Sequence, residues 1–421
     1  MDLSGLVCVA HQLSLTLIAK IRYTYDFVVL VDSMSHCFDK PPSSRGVRLG
    51  SCVSPARSSL STLDALTDVP RDALGSSRAQ AQVNIALIKY WGKSEADANL
   101  PAVGSLSLTL DSWGSETRLS WVPREAINDL AERDMDRHVI TLNDRRRSDD
   151  KITRLLDQAL MVAARRGHSW AHPDRTSAIM VSRNSVPTAS GLASSASGMA
   201  ALGVAAWAAL GYERDLKRLQ SGIVDEHVHD LIDLVRIGSG SAVRSLLGGV
   251  VRLERDGRSA RTLCDPESWD LALVVGVVDP GPKAISSREG MERTRRTSPY
   301  YQAWVDTHAA DLDAAEEAVR RQDLEQLGEL MEHSTFKMHA SMWTSRPPLR
   351  YLKGASLDIL DQVEQLRAQG VSAWATMDAG PHVKVLCHRV DAPRVARTLS
   401  DLPRLSEVVT RYPGRAAHVM K

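Results

Sequence analysis

Three cations and one carboxylate stand out because each lies in or beside a turn built of small residues. Lys93 ends the run Lys89-Tyr90-Trp91-Gly92-Lys93. Arg244 follows Gly238-Ser239-Gly240-Ser241-Ala242-Val243, and Arg288 follows Ser286-Ser287. Asp378 opens Asp378-Ala379-Gly380-Pro381. A fifth turn, from Pro187 through Ser190, Gly191, Leu192 and Ala193 to Ser194, Ser195 and Ala196, carries no charge. Chemistry on two polyanions needs such a set: backbone donors for phosphates, a few ammonium and guanidinium groups, and one base. Arg suits phosphate and carboxylate because its donors form a planar fork. Taken singly, a Lys or Arg is more often a solvated charge. An Asp before Ala-Gly-Pro is more often a turn-former through its own side chain. Only the set carries the chemical reading.

The elements around these turns follow from apolar spacing. Ala178–Val181 precedes the uncharged turn and a run of small residues, Ala196–Leu210, follows it, which reads as strand, turn and buried helix. The first amides of such a helix lack intrahelical partners and its dipole adds positive potential, so phosphate can bind there. An ordinary capped helix start fits that stretch equally well. It lacks the Gly-Lys-Ser/Thr end of a Walker loop. Strands are expected at Ala79–Ile88, Leu106–Leu110, Glu116–Val122, His138–Leu142, Leu246–Leu253, Leu271–Val278, Ser372–Met377 and Val383–Cys387. Helices are expected at Ile152–Arg165, Leu216–Val235, Asp311–Met331 and Leu357–Gln369. His227 and His229, two apart on a helix, point to different faces and make a poor zinc pair. Asp279-Pro280-Gly281-Pro282 breaks the chain, so the domains are expected at 79–278 and 279–421.

Composition narrows the class. The chain has 421 residues, room for two domains, and a net charge of +1, which gives no basic surface for nucleic acid. Cysteines stand at 8, 37, 52, 264 and 387, with neither metal-ligand spacing nor a disulfide framework, so a reducing cytoplasm is expected. No apolar run reaches the length of a membrane span. Residues 1–78 differ from the rest: all nine tryptophans lie beyond them, and Lys40–Arg78 is rich in Ser, Pro and Arg without a sustained period. That segment is expected to be disordered. Leu3–Met34 lacks the basic start and continuous apolar core of a signal peptide. The leader is therefore expected to stand outside the working protein; loss of activity on deleting residues 1–76 would count against this.

Together these motifs resemble the diphosphomevalonate decarboxylases of the GHMP small-molecule kinase superfamily. The resemblance rests on Asn84 to Lys93, on Pro187 to Ala196, on Gly238-Ser239-Gly240-Ser241-Ala242 with Arg244-Ser245, on Ser286 to Met291, and on Met377 to Pro381. It runs in the family's order from Ala79 to about Lys421. The uncharged loop alone indicates the superfamily; Lys-Tyr-Trp-Gly-Lys and Gly-Ser-Gly-Ser-Ala-x-Arg indicate the decarboxylase branch. The fold implied is α+β, the two-domain GHMP-kinase architecture, with a ribosomal-protein-like first domain, a ferredoxin-like second and the active site in the cleft between them. The activity implied is ATP-dependent: phosphorylation of the tertiary hydroxyl of 5-diphosphomevalonate, then loss of phosphate and CO2 to give isopentenyl diphosphate.

The resemblance also implies roles. Asp378 orients the hydroxyl and accepts its proton, Arg244 grips the substrate carboxylate, and Lys93 acts at the diphosphate or the transferred phosphoryl group. Tyr90, Trp91, Gly92, Ser239, Gly240, Ser241, Ala242, Val243, Ser287 and Arg288 are expected around the substrate. Ser190, Gly191, Leu192, Ala193, Ser194 and Ser195 are expected at ATP and its Mg2+, with no dedicated protein metal site. Lys151 is a candidate further anion contact, and Lys337 and His339 receive no role. The family usually forms homodimers. Three positions depart from its pattern: Ala102-Val103 after Leu100-Pro101, His382 after the Asp-Ala-Gly-Pro turn, and Val243 where Cys is common. The alternatives are a 5-phosphomevalonate decarboxylase, a mevalonate 3-kinase and a non-enzymatic ligand sensor on the same fold. Intact Asp378, Lys93 and Arg244 argue against the kinase, the intact base and phosphate loop argue against the sensor, and Tyr90, Lys93, Ser287 and Arg288 favour a diphosphate over a monophosphate.

Overall fold

The structure, a computed structural model, describes residues 69–95, 98–128, 136–186, 194–278, 281 and 285–421. Most of the expected leader therefore lies outside the described residues. Its last residues do not: β1 runs Gly75–Ile88, and Gly75 to Arg78 pair with Trp121 to Arg118. Ordered chain thus begins before Ala79, because an extended partner strand is available to a polar segment that has no apolar period of its own.

That partner is the longest strand. After the small hairpin β2 (Lys93–Glu95) and β3 (Leu100–Pro101), β4 spans Ser105–Pro123 as one strand where the sequence suggests two. Asp111 and Ser112 break the apolar alternation, and Ser112 takes a left-handed φ of 57°. The β1–β4 register shifts between Gln82 and Asn84, so the irregularity is a bulge within a continuous pair. With β5 (Val139–Leu142), β6 (Arg145–Arg147) and β7 (Thr176–Asn184), the main path of the first sheet reads β6-β5-β7-β4-β1. Strands β8 (Val250–Leu253) and β9 (Ala260–Cys264) extend it from β4.

Four helices, α1 (Asp150–Arg165), α2 (Ser194–Ala209), α3 (Glu213–Gln220) and α4 (Glu226–Gly238), cover the face that holds Ala79, Ala81, Leu119 and Trp121. Helix α2 is small and apolar all round, which is the pattern of a helix buried on every side. Trp121 and Trp207 are fully buried, with each indole N–H satisfied: Trp121 donates to the Ala206 carbonyl at 3.3 Å and Trp207 to Asp215 at 3.0 Å. The expected single helix Leu216–Val235 is two helices, the second restarted by Asp225, whose side chain accepts from the Val228 amide at 3.1 Å.

The second sheet has the order β11-β12-β10-β13, from β10 (Leu271–Val277), β11 (Ala373–Met377), β12 (Val383–His388) and β13 (Glu407–Arg411). Strand β10, expected at the end of the first domain, belongs here. The last strand, β14 (His418–Met420), crosses back to pair with β1. Both edges of the expected 279–421 unit therefore shift by one strand. Helices α5 (Ser287–Thr297), α6 (Tyr301–Arg321), α7 (Leu324–Trp343), α8 (Gly354–Ala368) and α9 (Ala392–Ser400) complete the fold. The expected helix Asp311–Met331 is interrupted by Gln322, with a left-handed φ of 53°, and restarted by the Asp323 cap. One apolar cluster joins Ile85, Leu87, Leu106 and Leu108 of the first sheet to Leu271, Leu273 and Val275 of the second and to α6 and α7. The turns that leave both sheets are thereby fixed against one another. Among the described residues no helix is long and apolar enough to cross a membrane.

Candidate active site

A cleft of about 430 Å³ is lined by turns from both sheets. At the end of β1, Ile85 and Leu87 point into the shared core and the alternate residues Asn84 and Ala86 line the cleft, until the register shifts after Ala86 and Ile88 joins the core. The chain then turns through Lys89 to Lys93. Gly92 has a φ of 97°, and a Cβ there would collide with the Tyr301 hydroxyl. This glycine lets the Lys-Tyr-Trp-Gly-Lys run double back, with Tyr90, Trp91 and Lys93 lining the cleft while Gly92 itself packs away from it. Gly240 is equally constrained, since a Cβ there would meet the Tyr90 hydroxyl and lie 3.0 Å from the Asn99 carbonyl oxygen. Ser239, Gly240 and Ser241 accordingly face the cleft. Ala242 and Val243, expected at the substrate, are instead fully buried in the first core. The 3-10 turn Gly240–Leu246 directs them inward while Arg244 returns to the cleft.

Asp378 follows β11 and reaches the cleft from the opposite side. Its Oδ1 accepts from Lys89 Nζ at 2.8 Å and its Oδ2 from Lys384 Nζ at 2.8 Å. Each lysine is 1% exposed, and the carboxylate itself is a quarter exposed. Burial alone would raise the Asp378 pKa; the ammonium groups of Lys384 and Lys89 outweigh it and hold the carboxyl far below its usual range. Burial pulls Lys89 down, opposed by Asp378. One carboxylate between two cations is thus kept ionised, a strong hydrogen-bond acceptor and a weak base.

Arg244 is 2% exposed. Its Nε donates to Asn84 Oδ1 at 3.1 Å and its Nη1 to Ser105 Oγ at 2.6 Å, and the guanidinium lies 5.7 Å from the centre of the Tyr90 ring. Asn84 is fixed in turn by donating to Ser245 Oγ at 2.7 Å and to the Ser241 carbonyl at 3.1 Å. Among the described residues no carboxylate forms an ion pair with Arg244. Burial lowers its pKa to about 10, so it stays charged at neutral pH. The Tyr90 hydroxyl is buried and has no hydrogen-bond partner among the described residues, and burial, opposed by Arg244, raises its pKa to about 12. It is a protonated donor awaiting an acceptor.

Lys93, Lys151 and Arg288 form a second positive region. Burial, and after it repulsion from Arg288 and Lys151, together lower Lys93 to about 8. Ser286 caps α5, accepting from the Glu289 amide at 3.2 Å, which sets Ser287 and Arg288 at the cleft edge. Ser194 and Ser195 line the cleft at the start of α2. Ser190, Gly191, Leu192 and Ala193 lie outside the described residues.

The sequence overlooked four polar groups here: Asn84, Lys89, Asn99 and Lys384. Asn84 and Lys89 lie inside a quoted motif, and Lys384 is a charge within the apolar strand Val383–Cys387, which was a visible signal. His339 is buried, and burial followed by Lys89 lowers its pKa to about 4, so it remains neutral. Lys337 pairs with Asp311 at 2.6 Å, a packing role outside the cleft. Of the departures, Ala102 and Val103 pack with Trp91 and Trp304, and His382 Nδ1 accepts from the Val278 amide at 3.1 Å. Neither lines the cleft.

Comparisons with known proteins agree on one family. Residues 81–264 match the diphosphomevalonate decarboxylase-like N-terminal domain, and residues 273–418 match the mevalonate 5-diphosphate decarboxylase C-terminal domain. The diphosphomevalonate decarboxylase of Candida albicans is 32% identical over 339 residues, covering 77% of this chain and 87% of that protein. A solved structure of the mevalonate diphosphate decarboxylase from Enterococcus faecalis is 34% identical with a TM-score of 0.67, covering 82% of this chain and 99% of the other. A structure of MDDEF in complex with MVAPP, AMPPCP and magnesium is also 34% identical, with a TM-score of 0.69 and the same coverage.

Proposed function

The chain belongs to the diphosphomevalonate decarboxylase family, and we propose that its cleft carries out that family's reaction: ATP-dependent decarboxylation of (R)-5-diphosphomevalonate to isopentenyl diphosphate, ADP, phosphate and CO2, in the mevalonate route of isoprenoid biosynthesis. The observation that carries this reading is Arg244. A buried guanidinium without a protein carboxylate is costly unless an anion completes it. It lines the same cleft as the ionised Asp378 and the cationic cluster of Lys93, Lys151 and Arg288. A substrate with a carboxylate at one end and a diphosphate at the other satisfies both regions. Two or three cations at the diphosphate end suit a diphosphate better than a monophosphate.

Asp378 accepts a hydrogen bond from the tertiary 3-hydroxyl and so aims its oxygen at the γ-phosphorus of ATP. Its low basicity places proton uptake late, after the new P–O bond has made the hydroxyl acidic. The C3–O bond then breaks with its electron pair leaving on phosphate. The C1–C2 pair moves into the new double bond as CO2 departs. Arg244 holds the carboxylate so that the breaking C1–C2 bond is aligned with the departing C3–O bond. Tyr90, Ser239, Ser241 and Ser287 supply neutral donors around the substrate. Ser194 and Ser195, hydroxyls at a helix start, fit nucleotide phosphates and a Mg2+ ion that neutralises charge on them. Such an ion would be held mainly by phosphate oxygens and water.

An analogue in which the C1 carboxylate is replaced by a primary amide tests Arg244 as the carboxylate partner. We expect its affinity, read by calorimetry without nucleotide, to be about 10–100-fold below that of 5-diphosphomevalonate. Equal affinity would remove Arg244 from that role. The same reading places the working protein in a reducing cytoplasm, which suits the free thiols Cys264 and Cys387. It includes the homodimer implied by the family resemblance. It draws on no residue of 1–68, which lie outside the described residues.

A further inference from the structure

Asn99 is 2% exposed and lies in the turn between β2 and β3, with a left-handed φ of 52°. No motif of the sequence includes it, yet its side chain touches two of them and the two residues that lead into a third. Its Oδ1 accepts from Lys93 Nζ and, at 3.4 Å, from Arg288 Nη2. Its Nδ2 donates to the carbonyls of Arg236 at 3.1 Å and Ile237 at 2.6 Å. Those carbonyls end α4, where helix acceptors lack intrahelical partners. Arg236 reaches the other way, donating to the Ala98 carbonyl. The hairpin that carries Lys93 is thus clamped to the helix that leads into Gly-Ser-Gly-Ser.

From this geometry we infer that Asn99 is a positioning residue for the diphosphate end of the substrate, holding Lys93 and Arg288 together on one amide oxygen. The inference rests on the reading of the cleft as a diphosphate site. An amide suits the task better than a carboxylate. It brings two repelling cations to a common point by dipole alone, and it leaves their full charge for the incoming anion. An Asp there would hold them more tightly and compete with the substrate. The orientation of the amide is fixed by its neighbours, because only the oxygen can face two cations and only the nitrogen can face two carbonyls.

Two variants separate positioning from mere support of the turn. Gly accepts a φ of 52° without strain, and Asp tolerates it. Asn99→Gly removes both sets of hydrogen bonds; its KM for 5-diphosphomevalonate should rise about tenfold, with the KM for ATP little changed. Asn99→Asp should raise the same KM at least as much and also shift a pH profile. The charged groups bearing on Lys93 are Arg288 from α5 and Lys151 from the start of α1, both cationic. Burial, followed by repulsion from these two cations, lowers Lys93 to about 8, so kcat/KM is expected to fall as pH rises through that value. A carboxylate at position 99 favours the charged lysine, so that falling limb should move to higher pH in Asn99→Asp and not in Asn99→Gly. Wild-type KM values in both variants, even with lowered Tm, would overturn the inference, as would an unmoved limb in Asn99→Asp. If the wild-type protein releases no CO2 from 5-diphosphomevalonate, the functional reading itself fails, and the variants are not needed to show it.

Discussion

Asp378→Asn is expected to lower kcat by about 10²–10⁴-fold, the range lost with a positioned acid–base group, while leaving the KM for ATP little changed. The amide keeps the shape and one acceptor oxygen, so the substrate hydroxyl can still be approached. What disappears is the charge that draws the hydroxyl proton and that balances Lys89 and Lys384, each 2.8 Å from it. Two buried ammonium groups then share no counter-ion. Breaking such a pair costs about 3–5 kcal/mol, so the variant should also melt at lower temperature. Single-turnover measurements well below the melting transition separate the two effects. Near-normal ADP formation there would remove Asp378 from its role at the hydroxyl.

Arg244→Gln should lower the rate of CO2 release by about 10²–10³-fold, the usual loss when a preorganised charged donor is withdrawn. The effect on stability should differ in kind from that of Asp378→Asn. Arg244 has hydrogen bonds to Asn84 and Ser105 but no ion pair among the described residues, so removing its charge strands no counter-ion. The melting temperature should change little. The lost function is alignment of the carboxylate with the departing C3–O bond, which a shorter neutral amide cannot supply. Wild-type CO2 release from this variant would sink the assignment.

Much of the site was legible because its residues cluster in short turns whose composition is unusual: Tyr90 to Lys93, Ser239 to Ser241, Ser287-Arg288 and Asp378. The residues that complete it were not, since their meaning is tertiary. Lys89 lies 289 positions from Asp378 in the chain, and Asn99 lies 189 from Arg288. No local pattern marks such partners. Val243 was misplaced for a related reason: a quoted motif does not show which of its side chains turn inward. In the fold, the existence of strands and helices was legible from apolar spacing, but their continuity was not. Asp111-Ser112 looked like an end and is a bulge; Asp225 and Gln322-Asp323 looked continuous and are breaks. Leu271–Val277 is apolar throughout, so nothing in its alternation says which sheet it joins.

The central claim is that this cleft couples phosphoryl transfer to decarboxylation on a diphosphate substrate. Supplying 5-diphosphomevalonate and 5-phosphomevalonate separately with ATP, and following CO2 and ADP together, tests it most directly. The expected result is equimolar CO2 and ADP from the diphosphate, at a much higher kcat/KM than from the monophosphate. ADP without CO2, or preference for the monophosphate, would contradict it.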